Sequence, residues 1–401
     1  MSDLLTMAFD EGRPDAGLAD DDSYVPADEG EADASDWHEI ANFCKRRTRL
    51  ASEVDAAAAH VNHLAHLRTV KPEYRLGLTD CIPGLATLAE NKVRLCVTSI
   101  PFGALFMYSG KTADIGNNYD GVDLRASHFG LHMQFFVEQL YRVMQPGGVI
   151  AIHIQQLIAT KVQHGFMGRR DLRGAVVDLF TSRLDETGAQ APDWFEWKGE
   201  FVIPKNPQAM AQRLKLHSLL FVTGKRDATK LAPAMNDYVM IFRKSGDGAP
   251  VPALYDPEKN PGGWLTKEEW IRDAHGVWTD IRETDVLDGY RSARASNEEK
   301  HVCPLQLEVI RRLVRLYSNY GELVLDPFNG IGSTGVVALE QGRNYVGFEL
   351  HDTYYAQSLR NLDRAMAHYQ SDIDAAANDM PLLRLIEAAT QPLSVQKEET
   401  T

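Results

Sequence analysis

The sequence predicts an α/β protein whose mostly parallel β-sheet is flanked by helices. Three observations carry that expectation. Short β-branched runs alternate with amphipathic segments of helix length. A Pro146-Gly147-Gly148 stop separates a helical pattern from the apolar run VIAIHI. A G-x-G-x-x-G turn, Gly330, Gly332 and Gly335, then joins a strand pattern to a helix pattern. Alternation of this kind is what a sheet covered by crossover helices requires.

Length and composition bound the rest. At 401 residues the chain is long for one compact domain, so one elaborated domain or two smaller ones fit. Apolar residues make up 44% and charged residues 24%, the profile of a soluble globular protein. No run of about 18 apolar residues is present, which argues against a membrane span. The start, MSDLLTMAFDEGRPD, lacks the basic flank and apolar core of a secretory signal, so a cytoplasmic location is expected. Cys44, Cys81, Cys96 and Cys303 form no C-x-x-C pair, which disfavours a disulfide framework or a cysteine zinc site. The net charge is −14, but residues 1–36 hold nine Asp and three Glu against one Arg. The remaining body is close to neutral and has room for a basic groove.

In chain order, residues 1–36 are acidic and poor in apolar side chains, and are expected to be a disordered tail. Residues 37–70 form a helical extension, Ala- and Leu-rich over 37–68. Strands are expected at 74–80 and 93–99, joined by the amphipathic LATLAENK, followed by a helix at 129–144 and a buried strand at 149–154. A helix at 170–187 precedes strands at 197–203, 217–223 and 238–243. Residues 245–298, rich in Gly, Pro, Asp and Trp, are expected to be a loop-rich insertion. A helix at 304–318, strands at 322–326 and 345–349, and helices at 334–341 and about 352–369 complete the pattern, and 371–401 is a helical or polar tail.

The glycine turn is the most informative segment. LVLDPFNGIGSTG (323–335) places glycines where the backbone must approach a ligand, and Glu349 ends the next strand. An acidic side chain there accepts hydrogen bonds from ribose hydroxyls, so the loop is expected to bind an adenosine-type cofactor. A dinucleotide dehydrogenase fits poorly. Only one helix and a polar tail follow Glu349, so the missing strands must come from upstream and the unit is permuted. Asp326 also puts a carboxylate at the strand end, where a dehydrogenase rarely needs one and where it suits a cationic ligand portion, such as the amino group of a methionine moiety.

Upstream, VTSIPFG (97–103) ends a strand at Ser99, and Pro101 stiffens the turn. Ligands of parallel sheets sit at the carboxyl ends of strands, so Ser99, Ile100, Pro101 and Phe102 belong at the cleft. A hydroxyl, a fixed carbonyl and an aromatic face together make a clamp for a flat base. A Ser-x-Pro-Phe turn alone is more often only a turn, and its weight comes from standing beside the cofactor loop.

These segments together resemble the amino-group DNA methyltransferases of the beta class, which use S-adenosylmethionine. In that family the catalytic tetrapeptide comes first, a target-recognition region follows and the cofactor loop comes last. The matching stretches lie at 76–103, 135–154, 236–244, 276–281 and 299–350. The resemblance implies a Rossmann-like S-adenosylmethionine-dependent methyltransferase fold with circularly permuted motifs. Residues 71–244 would form its catalytic half, 245–298 an insertion with a target-recognition role, and 299–370 its cofactor half. Asp326, Phe328, Gly330, Gly332 and Ser333 match the cofactor loop, Glu349 the ribose contact, and Asp80 an acidic position near the adenine. Lys300, His301, Pro304 and Gln306 match the helix entry that cradles the methionine end. Ser99-Ile100-Pro101-Phe102 occupies the catalytic tetrapeptide, departing from the family at Ile100, where a proline is expected.

The implied reaction is methylation of an exocyclic base amine. Ser99 Oγ and the Ile100 carbonyl would accept the amine hydrogens, and catalysis would come chiefly from positioning. Phe102 would stack on a base flipped out of the duplex. Ser99 in place of Asp favours cytosine N4 slightly over adenine N6. The implied partner is double-stranded DNA, with no membrane, and a homodimer is left open. Because of Ile100, a non-catalytic DNA- or cofactor-binding chain is a second reading, and a methyltransferase acting on RNA or a modified base is a third.

Other residues carry blander readings. Cys96 lies inside the strand and is expected to be a buried core thiol. His128, His132 and His153 lack a carboxylate pattern for a metal, and none is expected. The basic stretches 161–173 and 213–230 are candidates for phosphate contact. Of Trp264, Trp270 and Trp278 in the insertion, Trp278 is expected to be a packing anchor.

Overall fold

A computed structural model of the chain describes residues 34–102, 113–117, 123–183, 187, 191, 194–214, 217–288 and 304–378. Of the disordered tail expected over 1–36, residues 1–33 lie outside them, as do Lys300 and His301, whereas residues 34–36 already belong to a helix. The chain divides into two compact units, residues 1–53 and 54–401. In the first, the described residues belong to helix α1 (Ala34–Thr69), where Arg49 pairs with Glu53 one turn on at 3.0 Å.

The second unit continues with strand β1 (Tyr74–Leu78), helix α2 (Cys81–Ala86), strand β2 (Val93–Ser99), helix α3 (His128–Val143) and strand β3 (Met144–Gln155). A small hairpin of β4 (Leu157–Ala159) and β5 (Gly168–Arg170) encloses the single turn α4 (Lys161–His164). Then come α5 (Leu172–Thr181), β6 (Phe195–Ile203), α6 (Pro207–Leu214), α7 (Phe221–Arg226), β7 (Asp237–Lys244) and α8 (Lys267–Asp273). The cofactor half follows as α9 (Leu307–Tyr317), β8 (Leu323–Asp326), α10 (Ser333–Glu340), β9 (Asn344–Glu349) and α11 (Asp352–Asn378). No helix among the described residues is long and apolar enough to cross a membrane.

Seven strands form one sheet in the order β1-β9-β8-β2-β3-β7-β6. The first five are mutually parallel, and β7 and β6 close the far edge antiparallel. Alternation along the strands divides the apolar side chains between two faces. Cys96, Ile150 and Ile152 pack with Phe129, Phe136 and Leu140 of α3 on one face. Leu95, Val97 and Ala151 pack with Val309 and Leu313 of α9, Val337 of α10 and Leu362 of α11 on the other. Each such side chain contributes about 1.5–3 kcal/mol on burial, which is why a buried parallel sheet reads as near-continuous apolar runs.

Local chemistry sets the element ends. Ser127 Oγ accepts from the Gly130 amide at 3.1 Å and starts α3. Thr266 and Glu269 form a reciprocal capping box on α8. From β8 the chain crosses through α10 to β9, while from β2 it crosses through α3 to β3 on the opposite side. The strand order therefore reverses between β8 and β2, which is where an open parallel sheet leaves a crevice at its carboxyl edge.

Three expected elements differ. Residues 217–223 are not a strand: His217–Leu219 is one 3₁₀ turn and α7 follows. A short apolar run does not distinguish strand from helix, and Phe221 is 80% exposed, with no sheet to enter. The helix expected at 170–187 spans only Leu172–Thr181, because the Asp171 side chain caps its amino end, accepting from the Gly174 amide. The helix between β1 and β2 lies earlier than LATLAENK, started by the Asp80 cap. Within 245–298 the segment is loop-dominated apart from α8, and 289–298 lies outside the described residues.

Candidate active site

The carboxyl ends of β1, β2, β8 and β9 converge on a pocket at the point of strand-order reversal. Its walls include Asp80, Ser99, Pro101, Pro304, Asp326, Phe328, Gly330, Ser333 and Glu349. Of the residues singled out in the sequence, Ile100, Phe102, Gln306 and Gly332 stand just outside that lining. Lys300 and His301 lie outside the described residues.

The glycine turn is shaped by backbone need. Gly330 and Gly332 have φ of 55° and 90°, the left-handed region that favours glycine. A Cβ on Gly332 would also stand 2.5 Å from Ser358 Oγ of α11, so that hydroxyl would have to turn away and give up the bond it accepts from Asn329. Glu349 braces the turn from β9. Its Oε2 accepts from the Gly330 amide at 2.7 Å and its Oε1 from the His351 amide at 2.8 Å. Burial pushes the Glu349 carboxyl up to about 7; the backbone amides pull it down, and the nearby Asp326 charge adds to the rise.

Asp326 ends β8 fully enclosed. Its Oδ1 accepts from Thr98 Oγ1 at 2.6 Å and from the Phe328 amide at 3.1 Å. Burial outweighs these donors and raises its carboxyl to about 6. One residue beyond the pocket-lining Leu305, Gln306 holds the N-cap position of α9, and its buried Oε1 has no hydrogen-bond partner among the described residues. Two enclosed carboxyls that resist ionisation and one orphaned acceptor are groups a ligand bearing a cation and hydroxyls would satisfy. Asp80 Oδ1 accepts from the Ile82 amide at 2.7 Å and so caps α2 beside the pocket.

The tetrapeptide divides by burial. Ser99 closes β2 and faces the pocket, whereas Ile100 is 2% exposed and belongs to the core. The half-buried Phe102 tilts against His153, ring centroids 5.9 Å apart at 55°. Cys96 is buried in the strand and desolvation drives its thiol well above the usual range, so it supplies no nucleophile.

Several pocket residues had no motif to mark them: Thr79, Asp114, Ile115, Asn329 and Tyr354. Asn329 is held rigid, its Oδ1 accepting from Tyr345 Oη at 2.6 Å and its Nδ2 donating to Ser358 Oγ at 2.9 Å. Its position inside the glycine turn was the available signal. His153 is engaged by hydrogen bonding: its Nδ1 lies 2.9 Å from Ser99 Oγ. Among the described residues no group of three or more His, Cys, Asp or Glu is placed to hold a metal ion.

The basic stretch 161–173 forms α4, β5 and the start of α5, just past the carboxyl end of β3. Part of its charge is spent internally, since Arg173 Nε donates to both Glu200 oxygens and Arg169 donates to the Pro233 carbonyl. Val162 and Met167 stand 97% and 80% exposed there. In 213–230, Lys230 pairs with Asp227 at 3.3 Å and Lys225 lies over the Phe221 ring. Trp278 is buried and stacks on Phe201 at 4.3 Å, a packing anchor as expected, while Trp270 is half exposed.

The sequence model of a family described as DNA methylase matches residues 93–360. Type II methyltransferase M.MthZI of Methanothermobacter thermautotrophicus is 25% identical over 67% of this chain and 70% of its own. DNA adenine methyltransferase YhdJ of Escherichia coli is 31% identical over 34% of this chain and 41% of its own. Type II methyltransferase M.MjaI of Methanocaldococcus jannaschii is 29% identical over 53% and 60%. This chain thus spans less than two thirds of the latter two. Among solved structures, a DNA modification methylase from Thermus thermophilus, complexed with S-adenosyl-L-methionine, gives a TM-score of 0.48 at 21% identity, covering 73% of this chain and 96% of that one. PvuII DNA methyltransferase (cytosine-N4-specific) gives 0.45 at 16% identity over 76% and 94%.

Proposed function

The chain belongs to the DNA methylase family, and from that premise we propose that it methylates an exocyclic base amine of double-stranded DNA, cytosine N4 ahead of adenine N6. What supports this reading most is one convergence: Ser99 from β2, Asp326 from β8 and Glu349 from β9 line a single pocket across the strand-order reversal. A hydroxyl suited to a base amine thereby stands beside carboxyls suited to an adenosyl-methionine ligand.

S-adenosylmethionine, when bound, supplies a methyl group made electrophilic by its sulfonium. Glu349 would hold the ribose hydroxyls, Asp326 the methionine amino group, and Asp80 would stand near the adenine. Phe328, Ile331 and Pro304 give the pocket apolar wall, and Gln306, just outside it, would flank the methionine end.

Toward the other substrate, Ser99 Oγ and the Ile100 carbonyl accept the two hydrogens of the amine. A base amine is a weak nucleophile because its lone pair is conjugated into the ring. Two fixed acceptors favour the pyramidal nitrogen whose lone pair is free, and they do so without reorganisation. Pro101 limits the turn's freedom, and Phe102 offers a ring for stacking. A base inside a duplex cannot reach this depth, so it is flipped out. Lys161 and the exposed Val162 and Met167, on the turn after β3, are suited to phosphate and groove contact.

The test is transfer of labelled methyl from S-adenosylmethionine to unmodified duplex DNA, followed by nucleoside analysis. N4-methylcytosine is the expected product. N6-methyladenine would correct the base, and label in RNA alone or in no nucleic acid would overturn the reading.

A further inference from the structure

His153 is an odd residue for its place. It interrupts the apolar strand VIAIHI and is only 8% exposed, a polar ring where its strand neighbours are buried apolar side chains. In the sheet register Ser99 pairs directly with His153 across β2 and β3, and Asp237 opens the neighbouring β7. His153 Nδ1 lies 2.9 Å from Ser99 Oγ. On the other side of the ring, Nε2 lies 3.2 Å from Asp237 Oδ2, off the ideal line of a hydrogen bond. Lys205 Nζ, from the segment after β6, reaches the same Oδ2 at 2.7 Å, and Gln155 Nε2 donates to Oδ1 at 2.9 Å.

We propose that His153, anchored by Asp237 and Lys205, is a positioning residue that holds Ser99 as a hydrogen-bond acceptor and takes up the proton released on methylation. This rests on the function proposed above. A neutral imidazole carries one N–H, and the nitrogen nearest a carboxylate keeps it. Nδ1 is then bare and accepts the Ser99 O–H. With its own hydrogen committed, Ser99 Oγ offers only lone pairs toward the pocket, which is the polarity the target amine needs. A doubly protonated ring would reverse this, donating to Oγ and turning the hydroxyl hydrogen toward the base.

Methylation must also lose a proton. As the amine lone pair forms the N–CH3 bond, the donor's S–CH3 bond breaks with its pair left on sulfur. The amine N–H pair stays on nitrogen, its proton passes to Ser99 Oγ, and the Ser99 proton passes to His153 Nδ1. The resulting imidazolium faces Asp237, which is held below the usual carboxylate range although burial opposes it: the His153 contact and the Lys205 charge prevail. Around the ring, β2 contributes the uncharged Ser99, the turn after it Phe102, β7 Asp237, and the segment after β6 Lys205. A buried group of this composition is a poor stability device, since apolar residues would hold the strands as well.

Two measurements on the full chain test it. Ring ¹⁵N shifts of labelled histidine should give His153 a bare Nδ1 when neutral, and its titration should move in Ser99→Ala; a neutral ring protonated at Nδ1 overturns the proposal. In single-turnover transfer, His153→Asn keeps an acceptor near Ser99 but takes no proton. It should lose at least about a hundredfold in rate, with S-adenosylmethionine affinity unchanged and the acid limb of the rate–pH profile abolished. An active wild type matched by His153→Asn in rate and profile overturns the relay alone. A wild type that methylates no DNA amine overturns the relay together with the function it rests on. The ring shifts answer even where a variant fails to fold.

Discussion

Thr98 Oγ1 donates to Asp326 Oδ1 at 2.6 Å, and this bond joins the two halves of the site. Thr98 is the residue before Ser99 on β2, while Asp326 ends β8. One strand therefore turns alternate hydroxyls to opposite duties: Thr98 to the carboxylate of the cofactor loop, Ser99 to the pocket and His153.

Thr98→Val should separate those duties. It keeps the shape of a buried side chain and deletes the donor, so Asp326 becomes harder to ionise. Hydrogen bonds to charged groups contribute about 1.5–3 kcal/mol, which predicts S-adenosylmethionine binding weakened by at least about tenfold. Calorimetry would measure it, and unchanged affinity would show that Asp326 does not bind as a carboxylate.

The pH response has a definite sign. The carboxyls of Asp326 and Glu349 are raised, to about 6 and about 7, mainly by burial. Groups raised in the folded state stabilise it below their ordinary pKa, and that contribution disappears as pH climbs from about 4 to about 7. A ligand bringing an ammonium and hydroxyls restores it by favouring the ionised carboxyls. The rise in melting temperature on adding S-adenosylmethionine should thus be larger near pH 8 than near about pH 5. Equal shifts at both would count against the two carboxyls as ligand groups.

Within the glycine turn, two substitutions that look alike in sequence should behave differently. Asp326→Asn retains volume and hydrogen bonding and should remove S-adenosylmethionine binding while the melting temperature holds or rises, since a buried charge is lost. Gly332→Val should remove binding and destabilise the fold as well. Its Cβ meets Ser358 of α11, and its φ of 90° is strained for any branched residue. Thermal unfolding beside calorimetry distinguishes the two, and a Gly332→Val protein as stable as wild type would contradict the packing.

How much of this was legible in the sequence depends on range. The glycine turn and Glu349 are local signals, because backbone conformation and strand ends are decided by neighbours in sequence; the expected Pro146-Gly147-Gly148 stop instead falls inside β3, which begins at Met144 directly after α3. The parallel sheet followed from alternation. The segment 217–223 did not, since its apolar run of four residues, Leu219 to Val222, is too short to show the period that separates strand from helix. The His153, Asp237 and Lys205 cluster was invisible for a different reason: the three come from β3, β7 and the segment after β6, and only sheet register joins them to Ser99. His153 could be seen as an anomaly in an apolar strand, but not what it faced.

Ile100 is the departure that sequence alone left hardest to weigh, and its burial gives it a physical account. Its side chain is 2% exposed and packs in the cluster with Leu85, Phe129 and Met133. The residue can therefore serve two ends at once, a core anchor through its side chain and an acceptor through its carbonyl. Ile100→Val should cost about 0.5–1.5 kcal/mol of stability and leave transfer intact, because the carbonyl stays. Ile100→Pro also keeps the carbonyl but shortens the buried side chain, so it should unfold at lower temperature while the folded protein still transfers methyl groups. Ile100→Ala, losing more core volume, should cost about 2–5 kcal/mol. Melting temperature and single-turnover rate, measured below each variant's transition, separate the roles. If Ile100→Pro stays fully stable yet loses transfer, the side chain shapes the base pocket rather than the core, and the carbonyl is not what Ile100 contributes.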